Sequence, residues 1–80
     1  MDDAEVVSRI SKLADEEHHL ERAHEGEGLS GEELARLNLI EVALDQCWDL
    51  LRQRRARRAA GEDPDAAGVR PEDVVERYQQ

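Results

Sequence analysis

Eighty residues carrying 20 acidic and 11 basic side chains give a formal net charge of −9, with 39% of positions charged and 39% hydrophobic. A chain of that size holds one domain and a small core; one Trp, one Tyr and no Phe exclude a large aromatic interior, and the patterning is too regular for wholesale disorder. No apolar run reaches the length of a membrane span, the start Met1-Asp2-Asp3 lacks the basic-then-apolar order of a secretory leader, and the lone Cys47 excludes an internal disulfide, so a cytoplasmic, non-membrane protein is expected.

In chain order, Asp2 as N-cap with Glu5 three residues later predicts a helix over 2–24, its early carboxylates suited to the positive end of the helix dipole. Val6, Ile10, Leu13 and Leu20 recur at spacings of three and four, a seam interrupted at Glu17 and His24. Gly26 and Gly28 place a turn at 25–30. Ser30 and Glu33 form a second capping box, and the absence of Pro or Gly between Gly31 and Gly61 predicts a long helix over 31–60.

Along that second helix Leu37, Ile40, Leu44, Cys47 and Leu51 continue the three-and-four seam, flanked by Leu34 and Trp48. The two seams predict an all-α, coiled-coil-like antiparallel hairpin over 1–60, with Ile10 opposite Leu44 and Val6 approaching Trp48. Residues 61–80 form a tail with a short helix at 71–78, started by Pro71 and docked through Val74, Val75 and Tyr78. Leu39 and Val42 lie off the seam, so the long helix is apolar on more than one stripe and needs more than one neighbour. A homodimer forming a four-helix bundle is therefore expected, with Leu39, Val42 or Trp48 at its interface.

Two clusters bear on function. Arg52, Arg54, Arg55, Arg57 and Arg58 fall in one run without an acid among them, whereas residues 1–34 carry eleven acidic groups against three basic ones. Such a run complements the negative end of the helix dipole and pairs with acids of the same chain, or it presents guanidiniums to an acidic protein partner or to nucleic acid. They recur too densely for one face, so an inward subset anchors the N-terminus and tail while an outward subset forms a docking edge. The net negative charge and the lack of aromatic interleaving disfavour nucleic acid, which stays as the alternative.

The second cluster holds Glu16 to His19 and Glu21 to His24, both with the Glu-x-x-His spacing of di-iron bundles. Glu41 is the one candidate carboxylate on the facing helix, so a solvated face is expected rather than a metal site. No nucleophile elbow, phosphate loop or Cys-x-x-Cys pair is present, and neither catalysis nor a cofactor is expected. A non-enzymatic protein-interaction or regulatory adaptor module fits these residues best.

The block Asp45-Gln46-Cys47-Trp48-Asp49-Leu50-Leu51-Arg52-Gln53-Arg54-Arg55-Ala56-Arg57, with Glu16-Glu17-His18 before it and Gly61-Glu62-Asp63-Pro64 and Arg70-Pro71 after it, resembles the DUF2630 family of short actinobacterial proteins. The resemblance spans nearly the whole chain. It implies no catalytic or binding residues, because that family is named for its unknown function.

Overall fold

In a computed structural model, which describes residues 1–23 and 28–79, the chain is all-α. Helix α1 spans Asp3–Ala23, α2 spans Gly31–Ala59, a 3-10 turn covers Pro64–Ala66, and a short α3 spans Glu72–Gln79. The molecule is elongated, 50 × 25 × 17 Å, because α2 is its axis.

Both capping boxes form. The Asp2 carboxylate accepts from the Glu5 amide at 2.8 Å while the Glu5 carboxylate accepts from the Asp2 amide at 3.3 Å. Ser30 and Glu33 exchange the same bonds at 3.2 and 3.0 Å, which satisfies donors that the first turn of α2 cannot bond internally. At the other end Gly61 takes φ +76°, a left-handed conformation that suits glycine. The Glu62 amide then donates to the Arg57 carbonyl at 2.7 Å and the Gly61 amide to Arg58 at 3.1 Å, closing α2 in a Schellman motif.

The core is the hairpin seam. Val6 and Ile10 of α1 cluster with Cys47, Leu50 and Leu51 of α2, and Leu13, Leu44 and Ala67 pack at the edge. That register agrees with the antiparallel pairing of the two seams. Val6 shares its cluster with Cys47, Leu50 and Leu51, whereas Trp48, expected to approach it, points outward and is 46% exposed. The helix face explains it: Trp48 is one residue beyond Cys47, a rotation of about 100° away from α1.

The tail is the second neighbour of α2. From the Schellman turn it runs back along α2 in the opposite direction, so that Pro64 lies at Arg54, Gly68 at Gln53, and Arg70 at Asp49 and Gln46. It then delivers α3 against α2 and buries Val75. Val74 is half-buried, and the Tyr78 side chain lies outside the described residues. Beyond Leu51, where the apolar seam ends, α2 is held through Arg54 by polar contacts from Asp3 and the tail.

Candidate functional site: the arginine end of α2

One turn apart on α2, Arg54 and Arg58 face the start of α1, and Asp3 accepts from both. Arg54 Nε reaches Asp3 Oδ1 at 2.6 Å and Arg58 Nη2 reaches Asp3 Oδ2 at 2.9 Å. Arg54 Nη1 also donates to Asp65 Oδ1 at 2.9 Å and to the Pro64 carbonyl at 3.2 Å. The 3-10 turn is itself prepared for this, because Asp63 caps it by accepting from the Asp65 amide at 2.9 Å. Only 4% of Arg54 stays exposed, so its guanidinium ties together the first turn of α1, α2 and the tail. The hydrogen bonds from Arg54 and then Arg58 hold the Asp3 carboxyl below its ordinary value, against the opposing effect of desolvation.

A second polar contact lies one turn back. Asp49 is 1% exposed and is held by the Arg70 guanidinium through both oxygens, Nε to Oδ2 at 2.9 Å and Nη2 to Oδ1. Gln53 Nε2 donates to Asp49 Oδ2 at 2.9 Å and to the Gly68 carbonyl at 2.8 Å, and Gln46 Nε2 donates to the Arg70 carbonyl at 3.3 Å. Gln46, Asp49 and Gln53 fall at spacings of three and four, one polar stripe that grips two tail carbonyls and the Arg70 guanidinium. The Arg70 bonds keep the Asp49 carboxyl below its ordinary value; burial opposes them, and Gln53 and the fields of Arg70 and Arg52 reinforce them. Sequence reasoning missed Asp49, Gln53 and Arg70. The available signal was an acid inside the apolar block Trp48–Leu51, together with an arginine in an acidic tail.

The arginine run is therefore divided. Arg54 and Arg58 are engaged with acids of this chain, and Arg57 donates to Glu62 at 3.2 Å. Arg52 and Arg55 are exposed and make no hydrogen bond or ion pair among the described residues; Arg52 contributes only its field at Asp49. The expected interface residues divide likewise. Leu39 is 62% exposed and Val42 half-buried on the side of α2 that the tail follows, while Trp48 occupies the opposite side with Arg52 and Arg55 one and two turns on.

The histidine patch comes apart. Glu16 uses both oxygens on Arg36 of α2, at 2.7 and 2.8 Å, which lowers its pKa and bolts the turn end of the hairpin. His19, Glu21 and Glu41 are exposed, and His24 lies outside the described residues. Among the described residues no three His, Cys, Asp or Glu side chains gather as a metal-binding group, and no helix is long and apolar enough to cross a membrane.

Comparison with known proteins extends the picture without adding an activity. Uncharacterized proteins of Mycobacterium tuberculosis and Mycobacterium bovis are 51% identical over 77 residues, which covers 95% of this chain and 88% of each relative. No solved structure matches the chain. The family of proteins of unknown function designated DUF2630 matches residues 2–80, within which lie the Arg54 clasp, the Asp49 contact and the exposed Trp48 face, and the chain belongs to that family.

Proposed function

We propose that this chain is a non-enzymatic interaction module that docks an acidic protein surface through the exposed stripe of α2 at Trp48, Arg52 and Arg55. The observation that carries this reading is the division of the arginine run, with two guanidiniums left outward after the chain's own acids have taken the other three. Guanidiniums bind carboxylates in two-pronged fashion, and an exposed tryptophan supplies apolar area beside them. Pairing of two hairpins into a four-helix bundle belongs to the same reading. Nucleic acid fits less well, because the two arginines of the run left unpaired among the described residues, on a chain of net charge −9, give little long-range attraction to phosphate.

Cross-linking of the native chain and of Arg52→Glu/Arg55→Glu in the same lysate tests it. The expected outcome is a discrete protein adduct formed by the native chain and lost in the variant while circular dichroism shows the variant folded. Tight duplex or RNA binding that weakens steeply with salt would replace this reading with the nucleic-acid one.

A further inference from the structure

The exposed stripe of α2 passes through Glu41, Asp45, Trp48, Arg52 and Arg55, at spacings that alternate four and three residues, the spacing of a helix-pairing seam. It is distinct from the Cys47–Leu51 seam that α1 occupies. Asp45 is half-buried and the other four are exposed; none of the four charged side chains makes a hydrogen bond or ion pair among the described residues.

Their charges invert about the chain's single tryptophan, two acids before it and two arginines after it. Glu41 and Arg55 stand seven residues to either side of Trp48, and Asp45 and Arg52 stand three before and four after. At about 1.5 Å per residue the outer pair sits roughly 10 Å from Trp48 and the inner pair roughly 5 Å. A second α2 laid antiparallel, Trp48 on Trp48, sets Asp45 of each chain against Arg52 of the other and Glu41 against Arg55. Parallel alignment sets acid on acid and arginine on arginine.

We propose that the acidic surface met by this stripe is a second copy of the chain, joined in a twofold antiparallel α2–α2 dimer centred on Trp48. The proposal rests on the docking role given above to Trp48, Arg52 and Arg55 and names its partner. Twofold pairing makes one patch its own complement, so each of the two contacts occurs twice. The tail and α1 occupy other sides of α2, and both stay in place; the assembly is a four-helix bundle with the two α2 helices inside.

Sedimentation velocity and the emission of Trp48, followed over a concentration series, test this with three chains: native, Arg52→Glu/Arg55→Glu, and the full inversion Glu41→Arg/Asp45→Arg/Arg52→Glu/Arg55→Glu. The native chain should dimerise with a concentration-dependent blue shift. Two substitutions set like charges face to face and should raise Kd at least about tenfold, whereas the inversion restores opposite charges and should return Kd to within about threefold of native. Circular dichroism melting confirms that each variant folds. A folded native chain that stays monomeric up to high micromolar concentration overturns the proposal, as does a dimer indifferent to both variants or an inversion that fails to restore pairing. Should a monomeric native chain still form a heterologous adduct that Arg52→Glu/Arg55→Glu abolishes, the docking role stands and the second copy as partner is overturned.

Discussion

Helix α2 holds its two intramolecular neighbours by different physics. Toward α1 it offers Cys47, Leu50 and Leu51, which close over Val6 and Ile10, with a few ion pairs at the ends. Toward the tail it offers Gln46, Asp49, Gln53 and Arg54, each bonded to tail backbone or tail charges. Apolar burial is non-directional and tolerates sliding, whereas a buried carboxylate gripped at both oxygens fixes one position. The hairpin seam thus holds most of the buried apolar cluster, to which the tail adds Ala67 and separately buries Val75, and the clasp defines where the tail lies.

Substitutions on the two sides should separate these roles. Leu51→Ala removes a fully buried side chain from the hairpin seam and should cost about 4 kcal/mol, enough to lower the melting temperature of a chain this size by roughly 15–25 °C, as circular dichroism would read. Arg70→Ala should cost less, about 2 kcal/mol. It leaves Asp49 charged and buried, yet the loss is capped because the tail can release and return the carboxylate to water. Rapid proteolysis between residues 60 and 71 with the hairpin's helicity retained would mark that release; cooperative loss of all helix would show that hairpin and tail are one unit.

The pH dependence follows from the same contact. Asp49 is held below the ordinary value of 3.8, so its contribution is complete above about pH 5 and is lost as pH falls through the lower folded value. Melting temperatures at pH 7 and pH 3 should therefore converge in Asp49→Asn relative to the native chain. The smallest effect is expected for Glu16→Ala, whose bond to Arg36 lies at the surface, where salt and solvent screen it. A change beyond about two degrees would show that this bolt matters more than exposed pairs generally do.

The difference between the two sides is also the difference between what the sequence makes legible and what it hides. Alternation of Ile10, Leu44, Cys47 and Leu51 at three and four residues prescribes which faces meet, and Ser30 with Glu33 marks where α2 starts, because both signals are local. The clasp has no local signature. Asp3 and Arg54 lie 51 positions apart and Asp49 and Arg70 lie 21 apart, and each looks like an ordinary surface charge until the backbone brings it to its partner. The density of the arginine run predicts its division, but which members turn inward depends on where the start of α1 and the tail meet α2. The tail's meeting point is set by Gly61 and the 3-10 turn.

The clasp also imposes an order of assembly. Arg54 must find Asp3, which requires a closed hairpin, and Asp65, which requires the tail to have reversed direction. Neither is possible for a chain still leaving the ribosome at residue 54. The hairpin seam, complete by Leu51, can collapse first, and the polar contacts lock afterwards onto a preformed α2. Interactions that form after the folding transition state act on how long a finished molecule lasts rather than on how fast it forms. A bond between Asp3 and Arg54 serves as the lock on a door that hydrophobic packing has already closed.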